Sequence, residues 1–166
     1  GGEVIGQNHH TEMGHIPVRP HPDDPIKWPE RSQCDHHEDC LHGRASAKAM
    51  IKRASIYKTD WIDVFDNPVN HEDQWKIEAD YLGQLCATAV FCFAPTHIVF
   101  CGATIDAFPG HLLEHTRAAL QSHLRNYVHY DAMEAPFFMR HVDMDEAMIV
   151  GALLYGLQSK ADLRAV

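Results

Sequence analysis

The chain has 166 residues, a length typical of a single domain with a buried core of its own. Hydrophobic residues make up 45% of the sequence and charged residues 22%, as in ordinary globular proteins. The formal net charge of −9 argues against a nucleic-acid or anionic-membrane partner, because binding to phosphates requires an excess of Lys and Arg. Residues 1–6 have no signal-peptide character, and no apolar run reaches membrane-spanning length, so a cytoplasmic protein is expected.

The first forty residues predict little regular structure. Short strands are predicted at residues 3–6 and 13–18. Residues 20–42 contain four prolines and show no periodicity, which predicts a loop of about twenty residues. A loop of this length inside a compact domain requires something to hold it, and a bound metal ion would do so.

From residue 43 onward, helical and strand patterns alternate. Helix-forming composition and the spacing of apolar side chains predict helices over 44–56, 60–65, 71–93, 110–125 and 143–158. The last helix has Asp143 as its N-cap and Glu146 in a capping-box arrangement. A short apolar run predicts a buried strand at 97–101, and a second short strand is predicted at 136–142. This order indicates an α/β fold in one domain, a mixed sheet with flanking helices.

Five cysteines are an odd number, which does not suit a closed disulfide framework. Cys86, Cys92 and Cys101 lie in apolar surroundings and are predicted to be buried free thiols in a reducing compartment. The other two cysteines, Cys34 and Cys40, lie in the polar loop among histidines and acidic residues.

Cys34, His37 and Cys40 are spaced three residues apart, which lets a tight loop wrap three ligands around one tetrahedral zinc ion. We select His15 as the fourth ligand. Two thiolates and two neutral imidazoles would leave a Zn²⁺ site electrically neutral, and four protein ligands would make it structural.

Two choices within this ligand set stay open at the level of sequence. His36 competes with His37, and His21 competes with His15. A polar loop with incidental histidines and no metal is the plain alternative.

The residues of this region also carry a family resemblance. His10-Thr11-Glu12-Met13-Gly14-His15, then Asp23-Asp24, then the run from Cys34 through Cys40 to Gly43 resembles the ROK (repressor, open reading frame, kinase) family, and within it the bacterial fructokinases. Residues 98–102 resemble the family's strand and glycine turn near adenosine, and residues 145–152 resemble its closing helix.

The resemblance implies a ribonuclease H-like (actin-like ATPase) fold of two lobes, with a hexose such as fructose and ATP with Mg²⁺ in the cleft between them. This chain would be the carboxyl-terminal, sugar-binding lobe, spanning residues 1–166. Glu12 would hydrogen-bond sugar hydroxyls, and His15 would serve both the zinc and the sugar. Gly102 and Ala103 would lie at the nucleotide.

Two positions depart from the family pattern. His42 stands where the family usually has a sugar-binding Glu, and an imidazole cannot accept from two hydroxyls at once. In the turn after the first strand, Cys101-Gly102-Ala103 replaces consecutive glycines, so an added Cβ could crowd the nucleotide.

The 166 residues contain no D-x-G-x-T phosphate motif, no Asn-Asp pair carrying a catalytic base and no Gly-Thr-Gly phosphate turn. We therefore expect this chain alone not to phosphorylate sugar, the first lobe being supplied in cis or in trans. The apolar face of the closing helix (Met144, Met148, Leu154, Tyr155) is expected to be exposed or buried in a homodimer.

Two other functions fit parts of the sequence. One is a non-catalytic, zinc-stapled sugar-binding or oligomerisation domain. The other is a zinc hydrolase with an open metal site and Glu12 as its base, which two thiolate ligands and the lack of an H-E-x-x-H helix disfavour.

Overall fold

The computed structural model describes residues 11–27, 33–125, 127–128, 139–150 and 152–153. The α-helices with defined bounds are α1 (Leu41–Arg44), α2 (Ala47–Tyr57), α3 (Trp61–Asp66), α4 (Glu72–Phe93), α5 (Ala103–Ala107) and α6 (Pro109–Leu124). Short 3-10 helices cover Met13–His15 and Pro68–His71, and the strands are β1 (Ile98–Phe100) and β2 (Met139–His141). Residues 144–150 and 152–153 are helical as well.

The sheet of the described residues consists of β1 and β2, which pair in parallel with Ile98 opposite Met139. The crossover between them contains α5 and α6. This arrangement confirms the α/β class in its coarse form. The prediction that the first strand is buried is wrong, because Val99 is 47% exposed and points away from the core that Ile98 and Phe100 join.

The core forms where α4 packs along α6. Trp75 is fully buried at the start of α4, and its indole N–H donates to the Val64 carbonyl of α3 at 3.1 Å. Gly83 lies at the closest approach of the two helices, since a Cβ there would come within 2.6 Å of Ala119 Cβ. The long helix α4 thus packs against α3 as well as against α6.

The predicted helices agree with the structure to within a few residues at each end. Polar N-cap side chains accept hydrogen bonds from first-turn backbone N–H groups in three of them. The Ser46 hydroxyl accepts from Ala49 N–H before α2, and the Asp60 carboxylate accepts from Ile62 N–H before α3. Asp143 accepts from the Glu146 N–H at 3.1 Å, which confirms it as the N-cap of the last helix. Residues 154–158 of that predicted helix lie outside the described residues.

Residues 13–18 do not form the predicted strand. Glu12 and Met13 accept hydrogen bonds from the backbone N–H groups three residues later, giving the 3-10 helix Met13–His15. The extended backbone that follows makes only an isolated antiparallel bridge, between Pro17 and Cys40. The other predicted strand, at residues 3–6, lies outside the described residues.

Cys86, Cys92 and Cys101 are free thiols as predicted, but the prediction that they are buried holds only for Cys86. Cys86 is buried under α6, and burial raises the pKa of its thiol to about 12. Cys92 and Cys101 are exposed, contrary to expectation. Cys92 lies near the end of α4, and Cys101 follows a strand of which one face is exposed.

The last helical segment exposes apolar side chains. Met144 is 38% exposed and Met148 is 61% exposed. Ile149, Val150 and Leu153 are also largely exposed. Leu154 and Tyr155, which share the predicted apolar face, lie outside the described residues.

Within the part of the chain that the structure describes, no helix combines the length and the apolarity needed to cross a membrane.

Candidate metal and substrate site

The two sequence segments that carry the motif residues are joined by a short backbone strap. Leu41 N–H donates to Ile16 O and Val18 N–H donates to Asp39 O, both at 2.9 Å. These bonds flank Pro17, which has no N–H of its own to give. The strap brings the 3-10 helix that carries His15 against the segment that leads into α1.

Four potential metal ligands converge beside this strap, namely His15, Cys34, His37 and Cys40. Their ligand atoms all lie within 4.8 Å of one another. Both thiols are buried, whereas His15 is half-buried and His37 is exposed. The structure thus brings together the four residues that the sequence selected.

The spacing of these atoms fits a tetrahedral zinc ion. His15 Nδ1 lies 3.8 Å from Cys34 Sγ and 3.7 Å from Cys40 Sγ, and His37 Nδ1 lies 3.6 Å from Cys34 Sγ. A tetrahedron with the usual Zn–S and Zn–N bond lengths has sulfur-to-nitrogen edges of about 3.6 Å. The donor set of two sulfurs and two nitrogens is also one that zinc prefers.

The Cys34 thiol loses its proton more readily than an ordinary cysteine thiol, because its pKa is lowered. A hydrogen bond from the His36 backbone, together with those from His37 and the Cys40 side chain, lowers the pKa of Cys34 to about 6, against the effect of burial. A thiolate is the form of cysteine that binds a metal ion.

The structure also favours one histidine from each competing pair. His15 and His37 face the thiols, and their ring centroids lie 4.8 Å apart. His21 instead accepts a hydrogen bond from Asp23 N–H at 3.2 Å through its Nδ1. His36 is exposed, with its ring centroid 6.4 Å from that of His37.

The three residues expected at the sugar, Glu12, His15 and His42, lie close to one another. His15 presents Nδ1 to the thiols and Nε2 toward Glu12, whose Oε2 lies 3.8 Å away. His42, the second residue of α1, places its ring centroid 5.3 Å from that of His15. Glu12 and His42 are both exposed, so their polar atoms are accessible to a ligand.

Gly102 and Ala103 lie where β1 ends and α5 begins. Gly102 has a φ of +120°, a conformation that a residue with a side chain rarely adopts. Both residues line a cavity of about 170 Å³ together with Ala45, which directly follows α1. The glycine turn and the end of α1, the helix that contains His42, therefore border the same small cavity.

A buried ionic network anchors the loop at a second point, and sequence reasoning missed it. Arg53 of α2 donates to Asp24 through Nε (3.2 Å) and Nη2 (3.4 Å), and to Glu78 of α4 through Nη1 (3.1 Å). Its guanidinium also donates to the Arg44 carbonyl, and Tyr81 donates to Asp24 Oδ2 at 2.6 Å. All of these side chains are buried.

The electrostatics of the network differ between its two carboxyl groups. Burial alone would raise the pKa of Asp24, but the Arg53 charge and hydrogen bonds hold it below its ordinary value. Burial outweighs Arg53 at Glu78 and raises the pKa of that carboxyl to about 7. Arg53 thus serves two buried acids, and Asp24, which also lies 3.9 Å from Nη1 of the buried Arg44, is the one that stays charged.

Comparison with known proteins identifies the family. The family model described as ROK matches residues 1–158. The chain belongs to the ROK family. Membership implies an actin-like ATPase fold, of which the described residues form a mixed α/β part with a small parallel sheet.

Curated relatives of this ROK-family chain are named as fructokinases. A fructokinase of Pediococcus pentosaceus is 37% identical over 112 residues, which cover 64% of this chain and 35% of that protein. A fructokinase of Streptococcus mutans serotype c is 31% identical over 127 residues, covering 76% of this chain and 40% of that protein. A putative fructokinase of Bacillus subtilis is 31% identical over 105 residues, covering 63% and 31%. The chain spans about a third to two fifths of the length of these relatives.

The ionic network predicts a large effect of one substitution. Arg53→Leu leaves Glu78 buried without its cation and leaves Asp24 with only Arg44 Nη1, 3.9 Å away, so we expect the free energy of unfolding to fall by about 3–5 kcal/mol. Urea denaturation followed by circular dichroism measures this loss. Lys48→Leu, at an exposed position of the same helix, is the matched control and should change the free energy by less than about 0.5 kcal/mol. Equal effects of the two substitutions would contradict the role given to Arg53.

Proposed function

We propose that this chain supplies the sugar-binding elements of an ATP-dependent hexose kinase that acts on fructose. One observation carries the proposal: His15 turns one ring nitrogen to two buried thiols and the other toward Glu12. Membership of the ROK family and the likeness to proteins named fructokinase support the same conclusion.

The proposed zinc ligands are His15, Cys34, His37 and Cys40. Zinc bound there supplies a closed structural cross-link of a polar, proline-rich loop that buries little apolar surface of its own. With Nδ1 of His15 engaged, its proton is fixed on Nε2, the nitrogen that faces Glu12. His15 is then an oriented hydrogen-bond donor at the edge of the loop.

Glu12, His15 and His42 are the proposed contacts to the sugar. The Glu12 carboxylate can accept from two adjacent hydroxyls, while His15 Nε2–H donates to a third oxygen. Such pairing with hydroxyls discriminates strongly among sugars. His42 offers one acceptor or one donor, so we propose that it contacts a single hydroxyl.

Gly102 and Ala103 are the proposed contacts to ATP, which carries Mg²⁺. The catalytic base and the phosphate-binding turns are not among the motifs of these 166 residues. Phosphoryl transfer depends on positioning and on neutralising phosphate charge, so we propose that another lobe, in cis or in trans, completes the catalytic site. The exposed apolar residues near Met148 are then covered by that lobe or by a second copy of the chain.

We also propose a cytoplasmic location. Cys86, Cys92 and Cys101 are free thiols, which fits a reducing compartment.

The zinc assignment predicts different effects of two adjacent histidines. His37→Ala removes a ligand, so we expect the zinc content of the purified chain to fall from about one ion per chain to a small fraction after dialysis against a weak chelator. His36→Ala should retain the ion. Elemental analysis by inductively coupled plasma mass spectrometry measures both.

The cysteines provide a second matched pair. Cys34→Ser should lose the ion, and Cys92→Ser, at an exposed position outside the loop, should retain it. Full retention in both His37→Ala and Cys34→Ser would refute the ligand set.

The kinase proposal predicts how activity divides between the chain and the complete protein. Together with the first lobe, ATP and Mg²⁺, the protein should phosphorylate fructose faster than glucose or mannose, as measured by coupled release of ADP. The 166-residue chain alone should show no turnover. Within the complete protein, Glu12→Ala should lower kcat/KM for fructose by at least about a hundredfold, because the carboxylate that accepts hydrogen bonds from two sugar hydroxyls is removed.

Glu114→Ala is the control for this experiment, because Glu114 is an exposed carboxylate on α6 outside the proposed site. It should leave kcat/KM unchanged. Absence of turnover on all three sugars by the complete protein, with zinc bound, would overturn the kinase proposal and favour a non-catalytic sugar-binding domain.

A further inference from the structure

A groove runs between residues 16–22 and the helices α4 and α6, next to the proposed zinc site, because Ile16 and Asp39 line it and adjoin His15 and Cys40 in the chain. It consists of two cavities, of about 530 and 400 Å³. The two cavities share four lining residues, Arg19, Pro20, Gln84 and His123, and are therefore adjacent. We call the two cavities together the α4 groove. None of its lining residues is a proposed zinc ligand or sugar contact.

One end of the α4 groove is apolar. Val18, Ala87 and Phe91 line it, and Phe91 leaves 53% of its surface exposed. The ring of Tyr127 lies 6.4 Å from that of Phe91, at a tilt of 56°. An exposed aromatic pair beside a cavity of this size is suited to packing against a flat, apolar molecule.

The other end carries two cations. Arg19 and Arg125 both line the smaller cavity, and both are exposed. Among the residues that the structure describes, neither guanidinium forms an ion pair with a carboxylate. The chain as a whole has a formal net charge of −9, so two arginines on one cavity concentrate positive charge there.

The backbone holds both arginines in place. The Gln84 side chain accepts from Arg19 N–H at 2.8 Å and donates to Arg19 O at 2.9 Å, which fixes residue 19 to α4. Arg125 ends α6 in the left-handed conformation, with φ of 50°, and its N–H donates to Gln121 O. The positions of the two Cα atoms are therefore set by the fold, while the guanidinium groups can reach into the groove.

Two carboxylates line the groove, Asp39 at its apolar end and Asp80 at its cationic end. Asp80 lines the smaller cavity, and its carboxylate accepts from His123 Nε2 at 2.9 Å and from Gln84 Nε2 at 3.1 Å. The last carbonyls of α6 would also repel an anion, but Gln121 O and Leu124 O accept from the N–H groups of Arg125 and Tyr127.

His21 adds a hydrogen-bond donor to the same cavity. Its Nδ1 accepts from Asp23 N–H at 3.2 Å. The neutral ring then carries its proton on Nε2, as a neutral imidazole with an accepting Nδ1 must.

We propose that the α4 groove binds a small organic anion, with a flat apolar body against Phe91 and an anionic head group between Arg19 and Arg125. A carboxylate, sulfonate or phosphate head can accept paired hydrogen bonds from a guanidinium. The apolar body accounts for the length of the groove beyond its cationic end. This site is independent of the proposed kinase reaction, and its test needs no turnover.

The probe is 1-anilinonaphthalene-8-sulfonate, which has an aromatic body and a sulfonate head and becomes fluorescent in an apolar site. Titration of the zinc-loaded 166-residue chain should give saturable binding of about one probe per chain. The double variant Arg19→Ala/Arg125→Ala should weaken binding at least about tenfold, because two charge-assisted contacts are lost. Phe91→Ser should weaken it as well.

Two controls separate this site from adventitious binding. Arg140→Ala, at an exposed position of β2 outside the groove, should leave the affinity unchanged. Phenyl phosphate should displace the probe, whereas neutral phenol at the same concentration should not. Circular dichroism and thermal melting of each variant confirm that the fold is retained.

Three results would overturn the proposal. They are the absence of saturable binding, an affinity unchanged in the double arginine variant, and equal displacement by phenyl phosphate and phenol. If the double alanine variant fails to fold, Arg19→Gln/Arg125→Gln, which removes the charges but keeps polar side chains, provides the same comparison.

Discussion

The architecture of the candidate site depends on the buried guanidinium of Arg53. It joins Asp24 in the loop, Glu78 on α4 and the carbonyl of Arg44, the last residue of α1, so it connects three separate parts of the chain at one point. A buried cation with two carboxylates and a carbonyl around it is satisfied in every direction, whereas removal of one partner leaves a charge without compensation. The loop that carries the motif residues is therefore fixed to the helical core by charge, because it has few apolar side chains to bury.

The same loop is held a second time where His15 and His37 meet the thiols of Cys34 and Cys40. Backbone hydrogen bonds on both sides of Pro17 hold the segment that contains His15 against the segment that contains Cys40. Ionic anchoring at Asp24 and ligand convergence near Cys34 act at opposite ends of the loop. Together they present Glu12 and His42 at an exposed edge on short, constrained elements, which is what recognition of a polar ligand requires.

Local signals in the sequence sufficed for part of this structure. Apolar spacing predicted α4 and α6, and the Cys-x-x-His-x-x-Cys spacing with His15 predicted the cluster. The strand predicted at residues 13–18 is not formed, because turn hydrogen bonds to the carbonyls of Glu12 and Met13 prevail over the weak local preference for a strand. Spacing also cannot choose between neighbours such as His36 and His37, since that choice depends on the course of the loop. Arg53 and Glu78 gave no signal at all, because charged residues on helices are usually exposed and their partner Asp24 is distant in the sequence.

The central claim is that a zinc ion with two sulfur and two nitrogen ligands organises the loop. X-ray absorption spectroscopy at the zinc edge of the purified chain tests it most directly. The account predicts two sulfur neighbours at about 2.3 Å and two imidazole nitrogens at about 2.0 Å. A chain that contains no zinc, or zinc surrounded by oxygen ligands alone, would contradict it.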